Sequence, residues 1–285
     1  MLAVPDDTLD RWIREDVPVL DLTTHTLALR GIPGRMTFST REDIVACGTE
    51  EVGRILQKLG ASAAPGFHPS GSALSAGDDL ITATGPVEAL HAAWKVCANI
   101  LEHASGIATA TRHLVDTART ASVGKHPVNV AVTRKGFPGT RELAIKATLA
   151  GGAIPHRLGL SESILVFPQH RAFFNSDEAF ALRIAELRTR CREKQFIVEA
   201  HNPDEALRWA EAGADGIQLD KLPPAKLAET VRKLRELRPD ILLLAAGGIH
   251  SGNASDYAAT GVDVLVTSCV FHAPPADIGV TINPA

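Results

Sequence analysis

Between Val132 and Arg141 the chain reads VTRKGFPGTR, so Arg134, Lys135 and Arg141 follow directly on the apolar run VNVAV. A second basic pair, His156 and Arg157, ends the stretch GGAIPHR. The planar fork of arginine matches carboxylate and phosphate oxygens, so these groups form the positive half of a candidate anion site. Glu199 in VEAHN and Asp220 in GIQLDK form the negative half. They share no helix at a metal-ligand spacing, so no dedicated metal cage is read from them. Two separated carboxylates beside phosphate-binding groups suit Mg2+ carried in by a phosphorylated substrate, or hydrogen bonds to sugar hydroxyls. Gly247 and Gly248 in AAGGIHSG, with Ser268 in TSCVF, place small residues where backbone N–H groups can approach a phosphate. Cys47, Cys97, Cys191 and Cys269 lie far apart with no CxxC pair. That spacing disfavours a zinc site, a redox dithiol or a disulfide framework and reads as reduced thiols.

The elements that must position these residues change character near residue 106. Before it, helices are predicted at DTLDRWIRED, TEEVGRILQKLG and VEALHAAWKVCANILEHAS, among short strands and turns, which is the grammar of a small α+β domain. After it, apolar strands alternate with amphipathic helices. Six strands are predicted, at VNVAVT, SILVF, QFIVEA, DGIQLD, ILLLAAGG and DVLVTS, with helices over 140–150, 175–193, 203–212, 223–237 and 251–259. Such alternation predicts a parallel sheet covered by helices, either open and doubly wound or closed as a barrel. Strands that are apolar throughout, with Gly-Gly late in the series, favour the barrel. Each strand ends in polar groups or paired glycines: Arg134 and Lys135, Gln169 and His170, Glu199, His201 and Asn202, Asp220 and Lys221, Gly247 and Gly248, Thr267 and Ser268. Ligands of parallel α/β folds bind at the carboxyl ends of the strands, so all six sets are expected around one mouth. Polar residues also begin ordinary loops, and an isolated basic run is as well explained that way.

Composition narrows the partners. The chain has 285 residues and a net charge of −4 with interspersed signs, which gives no basic footprint for nucleic acid. The N-terminus lacks the basic head and apolar core of a signal peptide, and no apolar run reaches membrane-spanning length. A soluble cytoplasmic protein is expected, with no nucleic-acid or membrane partner.

Seven segments in order, SGIATAT, TRKGFPGTR, GGAIPHRLGLS, VEAHNPDEAL, GADGIQLD, AAGGI and ATGVDVLV, resemble the quinolinate phosphoribosyltransferase (nicotinate-nucleotide pyrophosphorylase) family, and REDVPVLDLTT fits it too. WKVCANILEHASGIAT and LSESILVFPQHRAF look like its ModD branch, whose proteins are associated with molybdenum utilisation. The resemblance implies an N-terminal α+β sandwich domain over 1–106, joined by the C-terminal residues 275–285, and an incomplete six-stranded α/β barrel over 107–274. It also implies a homodimer whose active sites borrow groups from the partner.

Carried over by position, Arg134, Lys135, His156 and Arg157 match the family's anion-binding residues, Glu199 and Asp220 its acidic pair, and Gly247 and Gly248 its phosphate-side glycines. The chain departs from the family at the partner-contributed arginine, which is Lys95, and at a pocket lysine, which is Phe167. It departs again at the asparagine after the strand-end aspartate, which is Lys221, and at the serine before Gly-Gly, which is Ala246. Loss of a cation at Phe167 argues against quinolinate itself, because an unpaired carboxylate is costly to desolvate; ordinary core packing explains Phe167 equally well. The implied reaction is transfer of phosphoribose from phosphoribosyl pyrophosphate (PRPP) to a small anionic heterocyclic acid, with pyrophosphate leaving with Mg2+. In it Lys135, Glu199 and Asp220 act at the reacting centre, Lys95, Arg134, His156, Arg157, Phe167 and Lys221 hold substrate, and Gly247, Gly248 and Ser268 hold phosphate. Two alternatives stand beside it: the same chemistry on an acceptor other than quinolinate, and a non-catalytic protein that binds or senses an anion.

Overall fold

The computed structural model describes residues 2–123 and 127–285, and they divide into two units. The first unit comprises Met1–Arg112, Gly136–Gly152 and Val270–Ala285; the second comprises His113–Lys135 and Ala153–Cys269.

The first unit is built on an antiparallel sheet in which Ile278–Pro284, Pro33–Thr40, Asp79–Pro86 and Ser62–Ala63 lie side by side in that order. Met36, Phe38, Leu80 and Ile81 send one face of it into a core shared with Leu9, Val52, Ile55, Leu56 and Leu90. Those partners come from the helices Asp6–Asp16, Thr49–Leu59 and Val87–Thr120. The last helix runs fifteen residues past its predicted end at Ser105. Its buried face continues through Ala108, Thr111, Val115 and Ala118, so the helical period does not break. Gly106 is a point of close approach instead of a stop, because a β-carbon there would stand 2.2 Å from the Pro274 carbonyl oxygen.

The segment Gly136–Gly152, which the sequence reading assigns to the barrel, groups with this first unit. The cause is the helix Arg141–Ala150. Its Ala147 and Ala150 pack with Val45, Cys47, Ala104 and Ala108. Its Lys146, 2% exposed, donates to Glu50 Oε2 at 2.9 Å and Glu51 Oε2 at 2.5 Å. A buried cation of this kind is tolerated only where hydrogen-bonded carboxylates surround it.

The second unit is a parallel sheet of seven strands. In spatial order they are Ile154–Pro155, Asn129–Val132, Val264–Thr267, Leu242–Ala246, Gly216–Asp220, Phe196–Ala200 and Ile164–Val166. The helices Asp177–Arg190, Pro203–Glu211, Pro224–Leu237 and Ala254–Ala258 alternate with them along the chain. The fold is therefore the α/β incomplete barrel that the sequence predicts, with a seventh strand added at one edge. That strand, Ile154–Pro155, pairs with Ala131 and Val132 and is too short to show a period of two in sequence.

Ala131, Leu165, Ile197, Leu244, Ala246 and Val266 meet in one apolar cluster. Side chains alternate along a strand, so the next residues on the same faces are two positions further on. Those positions are Thr133, Phe167, Glu199, Gly248 and Ser268. The same face thus turns from apolar to polar or glycine within one residue pair at the carboxyl ends of the strands, except at Phe167, which packs on the apolar cluster.

Candidate active site

A cavity of about 790 Å³ opens over these strand ends, and all its lining residues belong to the second unit. Arg134, Lys135, His156 and Arg157 stand in its wall, together with Phe167 and Gln169. Glu199, His201, Asp220, Lys221, Gly247, Gly248 and Ser268 complete the set expected from sequence. Lys95, Arg141 and His170 are not in that lining; His170 Nδ1 accepts from Phe167 N at 2.9 Å. Lys95 is exposed on the long helix, with its ammonium 4.8 Å from the Trp94 ring centroid. Arg141 is the exposed first residue of the helix that Lys146 anchors in the first unit. Asn202 is absent from the wall because its side chain caps a helix, accepting from Glu205 N at 2.9 Å.

The positive wall is crowded. Burial and the neighbouring Arg134 guanidinium both push Arg157 below the ordinary arginine range. Arginine keeps its charge regardless, so the two guanidiniums repel until an anion separates them. No ion pair engages either of them among the described residues. Burial and then Arg157 push His156 below the ordinary imidazole range, so its ring is neutral near pH 7. Its Nε2 is buried without a hydrogen-bond partner among the described residues. Its backbone N–H donates to Val132 at 2.8 Å, which holds the His156–Arg157 loop against the first strand end.

The acidic wall follows from the two-residue period. Glu199 and His201 share one strand face, and Gln218 and Asp220 share the next. Gln218 pairs in register with Glu199 and donates from Nε2 to Glu199 Oε2 at 2.7 Å. His201 stands between the carboxylates, with Nε2 3.5 Å from Glu199 Oε1 and Nδ1 3.6 Å from Asp220 Oδ2. Burial pushes the Glu199 carboxyl above the usual range, and the charge of Asp220 adds to this against the opposing pull of Gln218, His201 and Lys135. One ligand atom from each of Glu199, His201 and Asp220 lies within 4.8 Å of the others, nearer together than their sequence spacing implies.

Glycines and one strained lysine shape the floor. Gly247 and Gly248 have φ of +91° and +77°, and Lys221 has φ of +56°. Thr267 Oγ1 donates to the Ile249 carbonyl at 2.7 Å, and Asn253 Nδ2 donates to the Gly248 carbonyl at 3.0 Å. The glycine turn is therefore pinned on both sides, open enough for a phosphate to reach its backbone.

Residues 107–281 match the C-terminal domain of quinolinate phosphoribosyl transferase, and residues 21–105 match its N-terminal domain. The chain belongs to the quinolinate phosphoribosyltransferase family. The Rhodobacter capsulatus protein named "Putative pyrophosphorylase ModD" is 43% identical over 263 residues, which cover 92% of this chain and 98% of that one. A Methanothermobacter thermautotrophicus protein named as a nicotinate-nucleotide pyrophosphorylase is 31% identical over 280 residues, 97% of this chain and 98% of its own. Among solved structures, the nicotinate-nucleotide pyrophosphorylase of Ehrlichia chaffeensis aligns with a TM-score of 0.87 at 25% identity, over 99% of this chain and all of that one. That of Francisella tularensis has the same fold, with a TM-score of 0.86 at 23% identity over 99% and 98% of the two chains.

This quinolinate phosphoribosyltransferase-family enzyme, a pentosyltransferase, also uses positions that sequence reasoning passed over. Gln218, Thr133, His250 and Cys269 line the cavity. Gln218 was discoverable, since it lies two residues before Asp220 on the same face. His250 follows the glycine turn without a periodic signal, and only the fold places it. Among the described residues no helix is long and apolar enough to cross a membrane.

Proposed function

We propose that the chain transfers phosphoribose from PRPP to the ring nitrogen of an anionic nitrogen heterocycle, and that this occurs in the cavity over the strand ends. The observation that carries the reading is two mutually repelling guanidiniums, without an ion pair among the described residues, lining one cavity with two carboxylates. A binder of anions needs the first pair alone. The lone pair of the ring nitrogen forms a bond to C1′ of the ribose while the C1′–oxygen bond to pyrophosphate breaks, and the electron pair leaves with pyrophosphate. Positive charge develops on the ribose, and Glu199 and Asp220 are fixed beside it before reaction, which lowers the barrier without a covalent intermediate. Arg134, Lys135 and Arg157 hold the carboxylate and phosphate oxygens, and Gly247, Gly248 and Ser268 hold phosphate. With quinolinate as acceptor, the ring C–carboxylate bond then breaks, carbon dioxide leaves, and the ring carbon takes a proton from water.

Glu199 and Asp220 also fit Mg2+. The charge of Asp220 raises the cost of charge on Glu199, and a hard cation that brings its own waters and substrate phosphates would relieve it. Such an ion would supply charge neutralisation on the departing pyrophosphate. A homodimer in which Lys95 of one subunit completes the site of the other is part of the same reading.

A second acceptor reading is favoured by Phe167. It is half-buried in the cavity wall, with the Arg157 guanidinium 5.9 Å from its ring centroid and the His170 ring stacked on it at 5.8 Å. An apolar ring where the family resemblance puts a cation suits an acid with one carboxylate fewer than quinolinate. The test is pyrophosphate release from PRPP and Mg2+ against a panel of pyridine, pyrimidine and purine carboxylic acids. Release with at least one acid, abolished in Glu199→Gln, is expected. Anion binding with no release from any of them would leave the non-catalytic alternative.

A further inference from the structure

Phe167 is a wall with a second room behind it. A cavity of about 480 Å³ shares Arg134, Arg157, Leu165 and Phe167 with the main cavity. Phe174, Phe180 and Phe196 line it, Phe174 half-buried and the other two each 2% exposed. These rings are held in place, since Phe174 meets Phe180 edge-on at 5.2 Å and Phe180 meets the buried Trp209 at 5.0 Å. No carboxylate lines it among the described residues. Arg183 at its rim is paired with Glu186 at 2.6 Å, which leaves Arg134 and Arg157 as the cations facing both rooms.

A single-ring acid held by Arg134 and Arg157 would touch Phe167 and leave the half-buried Phe174 beyond it, backed by the buried Phe180 and Phe196, in contact with water. That arrangement is costly for preformed aromatic surface, and aromatic walls beside a guanidinium suit a flat, partly apolar anion. We propose that the acceptor is a nitrogen-heterocyclic acid bearing an apolar substituent, its carboxylate on Arg134 and Arg157 and its substituent past Phe167 against Phe174. The inference rests on the phosphoribosyl-transfer reading for the word acceptor, and on the cavity alone for the shape of the ligand.

Calorimetric titration separates the two. The probes are pyridine-3-carboxylate and its 4-, 5- and 6-phenyl derivatives. At least one phenyl acid should bind about tenfold tighter than the parent, a modest return for burying a phenyl group. Ser163→Phe and Leu187→Phe, each enlarging a residue that lines the second cavity, should each reduce that ratio toward one, with thermal melts confirming the fold. Phenyl acids that bind no tighter than the parent overturn the proposal. So does a preference that survives in both folded variants. The wild-type ratio decides even where a variant fails to fold. Pyrophosphate release is scored separately: tighter phenyl binding without release keeps the second cavity and removes the transfer reading, while release from the parent with no phenyl preference does the reverse.

Discussion

Gly247 lies so close to Lys221 that a β-carbon on the glycine would stand 2.5 Å from Lys221 Cγ, and 2.7 Å from Asp220 Oδ1. The lysine is itself held at φ +56°, with its N–H donating to the Ala246 carbonyl at 2.8 Å. Left-handed backbone costs a residue of this type about 1–2 kcal/mol, which the fold sustains beside the cavity and not in an idle loop.

Lys221→Asn, which tolerates this backbone and removes the ammonium, is therefore expected to keep or raise Tm while weakening PRPP binding. Gly247→Ala should weaken it further through the clash at Asp220. Equal PRPP affinity in wild type and Lys221→Asn, measured by calorimetry, would make the lysine a bystander.

Arg134→Ala and Arg157→Ala each remove a charge-assisted contact. The expected loss is about 1.5–3 kcal/mol of binding to an anionic acid, roughly ten- to a hundredfold in affinity. Because the two guanidiniums repel, either substitution should leave Tm unchanged or higher. A folded double variant with wild-type affinity would remove the site from this cavity.

Burial, with the charge of Asp220, places the folded carboxyl of Glu199 above its unfolded value of about 4.3. A raised carboxyl binds its proton more tightly in the folded state, so its contribution to stability is full below about pH 4 and is lost as pH rises through the folded value. Glu199→Gln should therefore gain Tm over wild type at neutral pH, with the gain shrinking on acidification, and should lose transfer activity throughout. A Tm difference independent of pH would show that Glu199 carries no buried charge.

Lys95 lies outside the cavity lining of its own chain, as a group serving a partner would. Inactive Lys95→Ala mixed with inactive Glu199→Ala should regain part of the activity once subunits exchange, because one site of each hybrid dimer carries neither lesion. Exchange shown by mass labelling with no regained activity would assign Lys95 no role in the partner's site.

The parallel strands and the mouth at their carboxyl ends were legible in the residues, because short runs apolar throughout, such as QFIVEA and ILLLAAGG, read as strands buried on both faces, with Arg134, Glu199 and Asp220 at the ends of such runs. The incomplete barrel was implied by the family resemblance, since the same runs fit an open sheet. Reading only the ends hid Gln218, one step down the same face. Arg141 was placed in the site for its charge, but the facing of a helix residue is decided by packing, and Lys146 between Glu50 and Glu51 settles that at a distance no local pattern records. The helix predicted to end at Ser105 runs on through Gly106, and the reason for a glycine there is the Pro274 carbonyl, remote in sequence.

The two units are not consecutive stretches of chain, and this sets an order on synthesis. Glu50 and Glu51 leave the ribosome about a hundred residues before Lys146 does. Until then the first unit has two acidic groups without their counter-ion. The sheet strand Pro33–Thr40 has a free edge until Ile278–Pro284, which follows the whole second unit in the chain, pairs with it. The first unit is thus completed only after the second has been made, and the nascent chain must carry an unpaired strand edge, the feature most prone to wrong pairing, throughout the synthesis of the second unit.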